Sequence, residues 1–153
     1  MNPGDILLFY RPKGRDLIIS LLTKSPYFHV ALCVAPNVIV EAVPKGVRQR
    51  DLRASPDRHP FHVIPGFAAQ REAAVQWALS QVGDGYDDVD LLVIVLHRLF
   101  KLFRINRVVG DRYTCGEFVA SAYEHAGRRL FPDIDSEDAV PADFERFLTK
   151  RGS

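Results

Sequence analysis

The chain has only two cysteines, one methionine and one tryptophan, and its 20 basic and 19 acidic side chains leave a formal charge of +1. Each scarcity excludes something. Two cysteines, Cys33 and Cys115, cannot form a disulfide framework. A nearly balanced charge gives no electrostatic ground for nucleic-acid binding. Long apolar runs are missing too. The most apolar stretch, Val89 to Phe103, is broken by His97, Arg98 and Lys101 and is too short to span a bilayer. Met1-Asn2-Pro3-Gly4-Asp5 lacks the basic start and apolar run of a secretory signal, so the expected location is cytoplasmic. There is no internal repeat, low-complexity tract or linker. At 153 residues and 47% hydrophobic, the expectation is one domain over 1–153 with a full core.

What the chain does have centres on Tyr113-Thr114-Cys115-Gly116-Glu117-Phe118. Thr114 reads as a helix N-cap, and Glu117 three residues on completes a capping box. The apolar residues Phe118, Val119, Ala122, Tyr123 and Ala126 follow at helical spacing, and Gly127 is a natural stop. Cys115 is then the first helical residue, on the inward face. The helix dipole and the unpaired N–H groups of the first turn favour a thiolate there. Taken alone, the stretch fits an activated thiol or a small packed hydrophobe equally well.

Upstream the pattern is mostly that of strands. Asp5 to Tyr10 reads as a buried strand, and Asp16 to Leu22 as one or two helical turns. Phe28 to Ala35 alternates, with Val30, Leu32 and Val34 on one side and His29, Ala31, Cys33 and Ala35 on the other. After a Pro36-Asn37 turn, Val38 to Val43 completes an antiparallel hairpin. Glu41 is the odd residue in that second strand, a carboxylate in apolar surroundings that needs a partner. A strict two-residue loop would put Glu41 on the face away from His29. A three-residue loop or a bulge would put both on one face, and this second arrangement is expected. Val47 to Leu52 reads as a polar edge strand and Phe61 to Ile64 as a further strand. Helices are expected over Ala68 to Val82, Val89 to Phe103 and Ala142 to Lys150. The first of these has Ala73, Ala74, Trp77, Ala78 and Gln81 along one side. The sum is an α+β domain, an antiparallel sheet of about five strands with helices packed on it.

A cysteine at a helix start, a histidine on a strand and a polar residue on the neighbouring strand form the working set of a thiol hydrolase. Here they are Cys115, His29 and Glu41. N–H groups near the helix start, including that of Cys115, would hold the oxyanion.

The set lies within several motifs: Gly4-Asp5-Ile6-Leu7, Phe28-His29-Val30-Ala31-Leu32, Val40-Glu41-Ala42 with Gly46-Val47, Tyr86-Asp87, and Tyr113 to Val119 through Ala122-Tyr123. In this order they resemble the circularly permuted branch of the NlpC-type papain-like cysteine peptidases, nearest to the bacterial YiiX-like proteins. Lecithin retinol acyltransferase and its relatives share the order, histidine first and cysteine last. The resemblance implies a permuted papain-like fold and an amide- or ester-cleaving enzyme that passes through an acyl-enzyme and needs no cofactor. Cys115 matches the nucleophile, His29 the base and Glu41 the variable third position. Gly116 departs from the small polar residue usual after the cysteine. Neither an export signal nor a cell-wall-binding module is expected from the sequence, a departure that puts a peptidoglycan substrate in doubt without touching the chemistry. The expected substrate is a small peptide amide or muropeptide-type fragment. The alternatives are a lipid-directed thioesterase or acyltransferase on the same pair, and a non-catalytic binding module.

Tyr113 and Tyr123 are the substrate-binding candidates, the first just before the cap and the second two turns along the inner face. His59, His62, His97 and His125 read as structural. No paired Cys/His spacing supports a zinc site on His29, Cys33 and Cys115, so no metal is expected. Asp84, Asp87, Asp88 and Asp90 lack EF-hand spacing. Val89 to Phe103 reads as a core helix through Val93, Leu96, Phe100 and Phe103. The rival reading is a membrane-surface contact through its leucines and the nearby basic residues.

Overall fold

The computed structural model describes residues 1–13, 17, 20, 24–43, 45–55, 59–83 and 113–149. Within them lies a five-stranded antiparallel sheet: β1 (Ile6–Tyr10), β2 (Tyr27–Ala35), β3 (Val38–Val43), β4 (Gly46–Asp51) and β5 (Phe61–Ile64). Their spatial order is β4-β3-β2-β1-β5, so the polar strand β4 is at an edge, as its composition predicts. The helices are α1 (Arg71–Ser80), α2 (Cys115–His125) and the short α3 (Arg146–Thr149), which directly follows a 3-10 segment, Pro141–Glu145. This is the α+β class expected from the sequence.

Two apolar clusters occupy the two faces of the sheet. Ile6, Leu8, Val30, Leu32 and Val40 pack with Ala74 and Ala78 of α1 and Phe118, Val119, Ala122 and Tyr123 of α2. Leu7, Phe9, Phe28, Ala31, Cys33 and Ile39 form the other cluster. β1 is thus apolar on both sides, which explains its unbroken Ile-Leu-Leu-Phe run.

Two bulges in β2 set the geometry that matters. The first is at Val34, since Cys33 pairs with Ile39 but Ala35 with Val38. The loop is the two-residue Pro36-Asn37, with Asn37 at φ +63°. Proline cannot take the positive φ that the best strand-matching hairpin turns require. The extra residue takes up the mismatch and reverses which β3 side chains face which side. The second bulge is at Phe28, since Phe9 pairs with His29 but Tyr10 with Tyr27.

The β2–β3 ladder runs only from Ala35↔Val38 to Leu32↔Val40. Beyond it, β1 follows β2 to Tyr27 and β4 follows β3 to Val43. β2 and β3 therefore part at the end that carries His29 and Glu41.

Several elements differ in extent from the sequence reading. α1 is shorter than Ala68 to Val82, because residues 68–70 form a turn that precedes it. Its buried side is Ala74, Val75 and Ala78, with Ala73 exposed, so the packing stripe is rotated towards Val75. The C-terminal helix opens as 3-10 at Pro141 and becomes α-helical only at Arg146. The expected helices over 16–22 (apart from Leu17 and Ser20) and 89–103 lie outside the described residues, as do Tyr86, Asp87, the remaining acidic residues of that loop and His97. Among the described residues, no helix is long and apolar enough to cross a membrane.

Candidate active site

Cys115 is the first residue of α2, and the cap before it is the one the sequence predicts. Thr114 Oγ1 accepts from the Glu117 N–H at 3.3 Å, and Glu117 Oε2 accepts from the Thr114 N–H at 3.2 Å. The helix ends as a Schellman motif. The Gly127 N–H donates to Glu124 O and the Arg128 N–H to Tyr123 O, with Gly127 at φ +83°. Both ends of α2 are thus specified locally, which fixes Cys115 on its first turn. Thr114→Ala removes one half of the box and is expected to lower stability by about 1 kcal/mol, read as a lower midpoint of thermal unfolding.

Gly116 follows the cysteine because another segment crosses the helix there. A Cβ on Gly116 would fall 2.2 Å from Ala139 O and 2.9 Å from Val140 Cα. Glycine at this position is therefore a packing requirement of this chain.

The Cys115 thiol is partly exposed and hydrogen-bonded to the His29 imidazole. His29 Nε2 in turn lies 2.7 Å from Glu41 Oε2. The Val34 bulge is what brings His29 and Glu41 to one face, beyond the last paired residues of β2 and β3. The imidazole is steadied from the sides by Phe9 and Phe28, whose ring centroids lie 5.5 and 6.5 Å away.

Glu41 is 1% exposed and is held by more than the histidine. Arg48 Nε donates to Oε1 at 2.9 Å, and Arg50 Nη2 donates to Oε2 at 2.9 Å. Arg50 Nε also lies 2.8 Å from Oε1. A carboxylate facing three cationic groups is the arrangement in which a buried charge is tolerated.

The electrostatic consequences run in opposite directions. Burial opposes the charge on Glu41, but the His29 hydrogen bond and the charges of His29, Arg50 and Arg48 outweigh it and push the carboxyl down to about 2. Burial likewise opposes the imidazolium, but the hydrogen bonds to Cys115 and Glu41 prevail and push His29 up to about 9.

The two arginines were not among the site residues read from the sequence. Their signal was present. β3 and β4 pair with Val43 opposite Gly46, which places Arg48 directly opposite Glu41 and Arg50 two residues along the same face.

The tyrosines part company. Tyr113 is half-buried, with its ring edge-on to Trp77 at 5.6 Å and to Phe118 at 5.9 Å, two residues before Cys115. Tyr123 does not fit its expected substrate-binding role. It is fully buried, and its hydroxyl donates to the Gly4 carbonyl. Burial pushes that hydroxyl up to about 12. Eight residues of helix also carry it about 12 Å from Cys115. Its function is to tie α2 to the start of β1, where Gly66 makes room. A Cβ on Gly66 would fall 2.1 Å from Gly4 O.

Cys33 stands apart from the site. It is buried in the second cluster, its Sγ donates to Ala35 O at 3.2 Å, and burial pushes its thiol up. It lies four positions along the strand from His29, about 13 Å away. The other described histidines pack or cap. His125 stacks on Trp77 and bonds Ser121 O, His62 stacks on Tyr10, and His59 meets the edge of Phe28. No group of three or more His, Cys, Asp or Glu suited to a metal occurs among the described residues.

Compared with protein-family models and with curated proteins, the chain matches none.

Proposed function

We propose that this chain is a cysteine hydrolase of the permuted papain-like type, cleaving an amide bond in a small peptide or muropeptide-type substrate. The observation that carries the reading is His29, held between the Cys115 thiol and the buried Glu41 carboxylate. A thiol at a helix start, an imidazole beside it and a carboxylate behind the imidazole are the three parts the chemistry needs. The chain order, histidine strand first and cysteine helix last, supports the permuted arrangement.

With Nε2 engaged by Glu41, Nδ1 is the nitrogen that serves the thiol. Proton transfer gives a thiolate and an imidazolium, which Glu41 stabilises. The thiolate attacks the carbonyl carbon, and the oxyanion develops beside the first-turn N–H groups of α2. The imidazolium then gives its proton to the leaving amine as the C–N bond breaks, which leaves a thioester on Cys115. Water attacks the thioester after giving its proton to His29. Collapse breaks the C–S bond, releases the acid and restores the pair. Two cysteines outside any disulfide and a working nucleophile suit a reducing compartment, and the cytoplasm is the proposed location.

Labelling with a thiol-reactive probe across pH tests this on wild type, Cys115→Ala and His29→Ala. In the wild type, labelling at Cys115 should persist well below the free-thiol value of about 8.5. It should be absent in Cys115→Ala. In His29→Ala it should retreat to the free-thiol profile. A wild-type Cys115 that follows the free-thiol profile, indifferent to His29, would overturn the enzyme reading and leave a binding scaffold.

A further inference from the structure

The cluster around Glu41 holds more positive charge than its own stability requires. Glu41 is already engaged by two shielded partners, His29 and Arg50, whose side chains are each 17% exposed. Arg48 is a third cation on the same carboxylate, and its side chain is 56% exposed. Among the described residues only one edge of its guanidinium is committed, through Nε and Nη2 to Glu41 Oε1. Counted with the ion pair of the mechanism, Arg48, Arg50 and His29 bring three positive charges, against two negative charges on Glu41 and the Cys115 thiolate. Arg50 cannot serve an outside ligand easily, because it is enclosed over the Phe9 ring with Nη1 on Ser55 Oγ. Arg48 can. Its backbone is fixed opposite Glu41 by the strand pairing, and its carboxylate contact aims the group rather than leaving it free to wander.

We propose that Arg48 is a specificity residue, selecting acyl substrates that carry a negative charge, a carboxylate above all, close to the scissile carbonyl. This rests on Cys115 and His29 being the reacting pair. The physical ground is that a partly exposed guanidinium, joined to the reacting pair through Glu41 and His29, offsets the repulsion an anionic substrate would otherwise meet at the thiolate. Held on one edge by Glu41, it has its outer N–H groups left to bind a carboxylate.

Two alkylating reagents of nearly equal size test this without knowledge of the substrate. Iodoacetate carries a carboxylate and iodoacetamide does not. With either, the Cys115 sulfur forms a bond to the methylene carbon and iodide leaves. The quantity read is the ratio of the two second-order rate constants at Cys115, which cancels any change in the thiol's own reactivity. Wild type should favour iodoacetate by about ten-fold relative to a small free thiol, whose anion repels it. Arg48→Gln should lose most of that preference, and Arg48→Lys should keep much of it. If Arg48→Gln fails to fold, salt decides instead: the wild-type ratio should fall towards the free-thiol ratio as ionic strength rises. A wild-type ratio equal to that of the free thiol would overturn the proposal, as would a ratio that Arg48→Gln leaves unchanged. Failure of the parent reading looks different, because Cys115 would then react with both reagents no faster than a free thiol.

Discussion

Glu41→Ala is expected to cost about 3 kcal/mol of stability and to lower the reactivity of Cys115 below neutral pH. The carboxylate is buried under three cationic groups, and removing it leaves them facing one another. Breaking a buried ion pair from one side costs about 3–5 kcal/mol. The lower end applies here, since Arg48 can turn to water and Arg50 cannot. For a chain of this size that is a fall of roughly 6–12 °C in the unfolding midpoint. Arg48→Gln removes only the exposed partner, so its cost should stay within about 1 kcal/mol.

The pH dependence gives an independent reading of the same cluster. Glu41 is lowered from 4.5 to about 2, so its stabilisation is present above pH 4.5 and is lost as pH falls through 2. His29 is raised from 6.5 to about 9, so its stabilisation is present below pH 6.5 and is lost as pH rises through 9. The cluster therefore stabilises the fold most between about pH 4.5 and 6.5. The two limbs share the His29–Glu41 interaction, and their magnitudes do not add. In Glu41→Ala the acid limb contributed by this residue should vanish. The alkaline limb should shrink but persist, because Cys115 also holds the imidazolium. Unfolding midpoints measured across pH for both proteins check this. An unchanged acid limb would mean that the carboxylate is not held as described.

Gly116→Ser should disable the site while leaving every polar group of it in place. The added Cβ would meet the Ala139 carbonyl oxygen at 2.2 Å, and that neighbour is backbone rather than a flexible side-chain end. Either the segment at 139–140 or the first turn of α2 must shift. Overpacking of this kind costs about 1–3 kcal/mol. The chemical cost is larger, because Cys115 is the adjacent residue, and a misplacement near 1 Å can lower a rate about 100-fold. The expected result is a folded protein with a modestly lower unfolding midpoint and a Cys115 labelling rate reduced by up to about 100-fold at pH 6. Wild-type labelling with an intact midpoint would show that the crossing segment yields freely.

What could be read before folding was what neighbours in sequence decide. The capping box, the Gly127 stop and the position of Cys115 on the first turn all depend on residues within a few places of one another. So do the alternation of β2 and the turn at Pro36-Asn37. Glu41 declared itself as well, since a lone carboxylate in an apolar strand has to find a partner. The partner could be narrowed to His29 only on condition of a three-residue loop or a bulge, and it is the Val34 bulge that meets that condition.

The tertiary structure alone decided the rest. Arg48 and Arg50 look like the ordinary charges of an edge strand until the β3–β4 register sets them on Glu41. Gly116 looks like a mere weak point in a first helical turn until the chain at 139–140 is seen to cross it. Tyr123 lies on the inner face in either view. Only the approach of Gly4, from the far end of the sequence, shows that its hydroxyl is already taken. The physical reason is the same in each case. Hydrogen bonds and dihedral preferences within one turn are written in adjacent residues. Register across strands and close packing between distant segments depend on where the whole chain returns.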